Sequence, residues 1–316
     1  MKYLVNKIAP DEKSKIALLS IVSNTTLVAL KLAAGIVTGS VSIVSEAIHS
    51  GLDLLAAIIA FVSVRVSGRP PDQKHQYGHG KFENLSGTIE AILIFIAAVW
   101  IIIEAYDKLI NKAKVETLAL GIIVMGVSAL VNTIISAILM KTAKKTRSVA
   151  LEADAMHLRT DVYTSVGVLA GLAAIQLTGI QILDPIIAIG VAVLIIKAAY
   201  DLTAKAFRPL LDIAVGKDEA GIINEVLQSM VETNLLGYHK LRTRQSGPER
   251  HLDMHLVVPR DMTVKEAHDL AHRVEDQLKT RLPHSIILIH TEPCVDSDCS
   301  VCRGCEKKQF SNQDDN

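Results

Sequence analysis

Two short patterns, His49-x-x-x-Asp53 in SEAIHSGLDLL and His157-x-x-x-Asp161 in LEADAMHLRTDVYTS, pair an imidazole with a carboxylate at the same spacing. Four residues advance an α-helix by roughly 400°, so each pair shares one face to within about 40° and lies about 6 Å apart along the axis. Two such helices facing each other offer two imidazoles and two carboxylates to one point. That is a complete tetrahedral set for a borderline divalent cation, zinc above all. One His/Asp pair alone reads equally well as a hydrogen-bonded packing contact; its repetition in a second segment favours a metal site.

Both pairs sit in apolar surroundings. Half of the 316 residues are hydrophobic, few are aromatic, and the apolar residues collect into long runs. About 20 such residues cross a bilayer core of roughly 30 Å. Six stretches qualify: 16–38, 42–64, 84–106, 117–140, 152–176 and 180–202. Ionisable groups at such depth cost roughly 2.5–3.5 kcal/mol each and mark ion pathways. Glu46, Asp154 and Arg159 fall nearer helix ends or on other faces and read as interfacial or as supports for the ligands.

The first fifteen residues, MKYLVNKIAPDEKSK, lack the apolar stretch and cleavage site of a signal peptide. Lys and Arg cluster at the N-terminus (Lys2, Lys7, Lys13, Lys15), in the second connection (Arg65, Arg69, Lys74, Lys81) and in the fourth (Lys141, Lys144, Lys145, Arg147). Basic loops stay inside, so the pattern predicts both termini in the cytoplasm and a multi-pass protein of the plasma (inner) membrane. The third connection, with Lys108, Lys112 and Lys114, runs against it.

From residue 208 the character changes. AGIINEVLQSMVE and TVKEAHDLAHRVEDQLKTRL have helical periodicity, whereas KLRTRQ, HLDMHLVV and SIILIHTE read as strands. The expected architecture is a bundle of six transmembrane helices (1–207), a cytosolic αββαβ domain of ferredoxin-like or metallochaperone-like type (208–293), and a Cys-rich tail (294–316). Formal net charge is zero, which gives no basic face for nucleic acid.

Further donors lie outside the spans. Asp72, His75 and His79 in PPDQKHQYGHGKFENL are spaced to converge, although a solvated turn with incidental histidines has the same composition. Seven of the eleven histidines follow position 238, a concentration that suggests metal; His251, His272 and His284 read as solvated. Cys294, Cys299, Cys302 and Cys305 have thiolate-site spacing for zinc or another soft metal. A tail with idle thiols, and less readily an iron–sulfur cluster, are the other readings.

The paired His/Asp motifs, the six runs and the α+β tail, together with PPDQKHQYGHGKFENL, RPLLDIA and KLRTRQSGPERH, resemble the cation diffusion facilitator family of divalent metal/proton antiporters over roughly residues 10–295. KLRTRQSGPERH is especially similar to the bacterial zinc-transporting, ferrous-iron-efflux-type members. Those members carry aspartate where His49 stands; the His/Asp set here is more like that of dedicated zinc and cadmium carriers. The resemblance implies a transport site of His49, Asp53, His157 and Asp161, and a weaker loop site of Asp72, His75 and His79. It also implies an ion pair of Lys81 with Asp212, and a two-metal cluster of His239, His255, His268, His290 and Glu292 at a homodimer interface. Glu292 stands where aspartate is usual. The implied activity is alternating-access export of Zn2+, with cadmium, cobalt or iron as further cargo, in exchange for protons that compete for the same ligand atoms. An intramembrane metalloenzyme would need an open coordination position and a base, and no H-E-x-x-H occurs. A membrane metal sensor without transport is the third reading.

Overall fold

The computed structural model describes residues 10–38, 41–111, 119–178, 180, 182–231 and 235–294. The chain divides into two compact units, Met1–Leu210 and Leu211–Asn316. The first is all helical: α1 (Pro10–Thr38), α2 (Val41–Ser67), α3 (Lys81–Asn111), α4 (Ala119–Thr146), α5 (Val149–Thr178) and α6 (Leu183–Phe207), closed by a 3₁₀ turn at Arg208–Leu211. At about 1.5 Å per residue each exceeds the bilayer's hydrocarbon thickness. Among the described residues five stretches are apolar enough to cross: Glu12–Ala34, Ser50–Ser67, Lys81–Asp107, Gly126–Thr146 and Pro185–Leu211. Helix α5 has the length, and its N-terminal half carries Glu152, Asp154, Arg159 and Asp161.

The burial pattern is that of a protein turned toward lipid. Ala56, Ala57, Ala60, Ala91, Ala98, Ala150, Ala153 and Ala199 are buried between helices, whereas Leu30, Ile36, Val37, Trp100, Ile103, Leu130, Leu194 and Tyr200 face outward. Between helices in lipid, close approach of small residues supplies the packing energy, because lipid tails are as apolar as leucine. Helix α3 lies along α6, α1 along α2 and α4 along α5, while α2 and α3 both reach α5. At one end, buried Glu83 joins four segments: it accepts from Lys13 Nζ (3.1 Å), Ser67 Oγ (2.7 Å) and Ser148 Oγ.

The second unit has the order α7 (Lys217–Val231), β1 (Gly237–Ser246), β2 (Glu249–Val258), α8 (Val264–Arg281), β3 (Ser285–Pro293), which is the αββαβ succession read from the sequence. The sheet order is β1-β2-β3, antiparallel then parallel. Strand side chains alternate, so Leu252, Met254, Leu256 and Val258 of β2 enter the core, against Ile223 and Leu227 of α7 and Leu270, Val274 and Leu278 of α8. The odd-numbered residues, His255 among them, occupy the opposite face. Helix α8 opens with a capping box: Thr263 Oγ1 accepts from the Glu266 amide, and the Glu266 carboxylate accepts from the Thr263 amide.

Candidate metal sites

In the helical unit, Asp53 of α2 and His157 and Asp161 of α5 bring one ligand atom each to within 4.8 Å of one another. His157 Nε2 lies 3.0 Å from Asp53 Oδ1, and both residues are buried. The helical four-residue spacing turns His157 and Asp161 to the same side, and α2 presents Asp53 to them. His49 lies one turn before Asp53 on α2; its side chain is outside the described residues. Among the described residues, His157 Nδ1 is buried without a hydrogen bond on that atom. Donors of that kind are costly to bury unless a cation or proton completes them.

Two acids lie beside this group. Glu90 of α3 is fully buried, both its carboxylate oxygens lack hydrogen-bond partners among the described residues, and it is within electrostatic reach of His157 and Asp154. Asp154 of α5, read from sequence as interfacial or supporting, is 1% exposed and so belongs to the interior. Lys31 of α1 is buried as well and donates to Ser50 Oγ at 2.7 Å, one turn from Asp53 on α2. Sequence reading passed over Glu90 and Lys31. The available signal was a lone ionisable residue inside an apolar run, TIEAILIF and ALKLAAG.

The loop between α2 and α3 holds the second group, Asp72, His75 and His79, again with ligand atoms within 4.8 Å. Asp72 Oδ1 accepts from the backbone N–H groups of His75 (2.6 Å) and Lys74 (2.8 Å), and Oδ2 lies 3.3 Å from His79 Nε2. The His75 amide is the main reason the Asp72 carboxyl is held below its ordinary range. The two imidazole rings are 4.4 Å apart between centroids. Gly78, at φ +83°, takes the left-handed backbone the turn requires. Asp72 and His75 are exposed, which suits a rapidly exchanging site; His79 is buried.

The third group lies on the sheet face away from the helices. His239 Nε2 is 2.5 Å from Glu292 Oε1 and His255 Nδ1 is 2.9 Å from Glu292 Oε2. His290 is near, its ring 4.6 Å from that of His255. Partial burial works against ionisation of Glu292, but the His255 hydrogen bond and the neighbouring His239 outweigh it and hold the carboxyl below the usual range. The longer side chain of Glu292 therefore reaches both imidazoles within one chain. His268 does not join them in the same chain; it is exposed on α8, with its ring against His272.

Lys81 begins α3, and in the second unit Asp212 accepts from Arg244 at 3.4 Å. The Cys294 amide extends the β2–β3 pairing by donating to Val258 O at 2.9 Å. Cys299, Cys302 and Cys305 lie outside the described residues.

Comparison with known proteins matches residues 17–211 to the cation efflux transmembrane domain and residues 215–294 to the cation efflux protein cytoplasmic domain. An uncharacterized transporter of Synechocystis sp. is 34% identical over 280 residues, covering 89% of this chain and 90% of the relative. The cation-efflux pump FieF of Cronobacter sakazakii is 33% identical over 282 residues, 89% of this chain and 93% of the pump. A solved metal-bound C-terminal domain of the CzcD transporter from Thermotoga maritima is 24% identical, covers 25% of this chain and 94% of that domain, and superposes with a TM-score of 0.23.

Proposed function

Because this chain belongs to the cation efflux family, whose members are transporters of metal cations and not enzymes, we propose that it exports zinc from the cytoplasm in exchange for protons. Divalent metal efflux is the family's activity; the choice of ion and the coupling are our reading. The observation that carries it is the convergence of Asp53, His157 and Asp161 from two helices, with ligand atoms within 4.8 Å. With His49 one turn before Asp53, two imidazoles and two carboxylates make a donor set that suits zinc better than magnesium or manganese.

The coupling follows from the donors. A ligand must be neutral as histidine or ionised as carboxylate to bind metal, so each proton taken up competes with the cation for the same atoms. Cytosolic zinc displaces protons when the site faces inward, and protons arriving from outside displace zinc when it faces outward. Imidazole, which titrates near neutrality, suits this exchange. Buried Glu90 and Asp154 place further proton-accepting oxygens beside the site. In this reading both termini are cytoplasmic, the second unit pairs two chains in a homodimer, and cation bound at His239, His255 and Glu292 regulates the carrier. The sensor alternative predicts binding without movement.

The test is flux in proteoliposomes with controlled pH on each face. Zinc movement that follows the imposed proton gradient and reverses with it supports antiport. Binding without flux would replace this reading with a sensor, and flux indifferent to the proton gradient would remove the coupling.

A further inference from the structure

We propose that Glu90 and Asp154 share a transported proton of their own, which leaves when zinc enters and returns when zinc departs, in addition to what the metal ligands exchange. This deepens the proton-coupled transport reading and rests on it. Glu90 of α3 and Asp154 of α5 are 0% and 1% exposed, and among the described residues neither carboxylate has a hydrogen-bond partner. Each lies within electrostatic reach of His157, and Glu90 within reach of Asp154. Two buried acids that feel each other and have no donors are costly to ionise together, so they exchange protons as a pair.

The charges around the pair fix how many protons it holds. Helix α2 contributes Asp53, α5 contributes His157 and Asp161, and α1 contributes Lys31, buried and bonded to Ser50 one turn from Asp53. Among the described residues the other charges stand apart. On α6, Lys197, Asp201 and Lys205 are exposed, as are Lys141, Lys144 and Lys145 at the end of α4. Glu152 is bonded to Lys205, Glu83 has donors of its own two turns before Glu90, and Arg159 lies about 160° around α5 from His157.

Neutrality of this interior then assigns the proton, because net charge at membrane depth is costly. With zinc bound, the dication offsets Asp53 and Asp161. The Lys31 ammonium offsets one ionised carboxylate of the pair, which keeps a single proton. Without zinc, the ligands take up one proton, Lys31 offsets the charge that remains on them, and Glu90 and Asp154 are both protonated. Loading therefore sends two protons to the side the site faces, one from the ligands and one from the pair, in place of the two charges of zinc. Asp154 lies one turn from His157, so the pair opens to each side of the membrane together with the ligands.

The experiment opposes zinc and pH gradients across proteoliposomes, with the membrane potential clamped at zero, and finds the zinc ratio at which net flux stops. Each proton exchanged moves that ratio by about one decade per pH unit, whatever the transport rate, so the parent should give about two. Glu90→Gln and Asp154→Asn singly leave one acid to carry the proton and should keep the parent slope. The double variant should lose about one decade per pH unit. A double variant that keeps the parent slope, a single variant that already loses a decade, or a parent slope near one would overturn the shared proton. A parent slope of zero would instead remove the coupling of the transport reading, before any variant is compared. A second measurement needs no variant to fold: infrared difference spectra of the parent in detergent should lose a protonated-carboxyl C=O band when zinc is added. Absence of that loss would overturn the proposal.

Discussion

Replacing Asp53 by asparagine keeps the side chain's shape and leaves His157 a hydrogen-bonding neighbour, but removes one carboxylate from the site. With Asp53 and Asp161 both ionised, a bound dication is neutralised by its own ligands. With one of them amidated, the ligands themselves leave one positive charge unbalanced where Asp53 is 6% and His157 8% exposed. Both empty forms can reach neutrality by taking up protons, so the bound form carries the difference. A charge at membrane depth costs roughly 2.5–3.5 kcal/mol. At about 1.4 kcal/mol per decade, zinc affinity should fall roughly 60- to 300-fold. The assay is competition against a chromogenic chelator in detergent, with size-exclusion elution as the folding control, followed by proteoliposome flux at a zinc level that saturates the parent. Asp53→Asn binding within threefold of the parent would refute the reasoning, since a buried carboxylate that ligated the cation would cost more than that to lose.

The packing of α3 is tested by Gly87→Ala: an added Cβ would sit 2.9 Å from Val149 Cγ1 and 3.4 Å from Ala206 Cβ, so thermal stability in detergent should drop by about 1–3 kcal/mol. Gly126→Ala, with nothing within 4 Å, should not show that loss. Thr263→Ala should destabilise α8 by about 1 kcal/mol, seen as faster amide exchange in its first turn. Bonds from the Thr263 hydroxyl and amide hold the Glu266 carboxyl below its unfolded value. Its stabilisation is therefore full above the unfolded carboxyl pKa and lost as pH falls through the lower folded one; Glu266→Gln should flatten that acid-side dependence. Exchanging His49 for aspartate hardens the donor set and should shift the zinc-to-manganese flux ratio toward manganese; an unchanged ratio would place selectivity in helix geometry instead.

The helices were legible because apolar runs of this length have few alternatives, yet most extend past the run that announced them. The first run, 16–38, became Pro10–Thr38, because the polar start PDEKS continues the helix once the apolar part has nucleated it. The His/Asp spacing was legible because a period of 3.6 fixes which residues share a face. Glu90 and Lys31 were not, since a single ionisable residue carries no period, and whether it turns inward depends on α3 meeting α5 and on α1 meeting α2.

The sheet has a consequence beyond ligand supply. Its register sets His239 opposite His255, and His255 opposite His290, so three imidazoles stand in one row across three strands. Side chains alternate with a period of two, so a one-residue slip of β2 would put Met254 or Leu256 into that row and turn the central histidine toward the core. Only a correctly zipped sheet can then hold a cation there, and whatever it gains from binding is withheld from every misaligned competitor. A cation bound across this row would favour chains that have closed in register over those that have not.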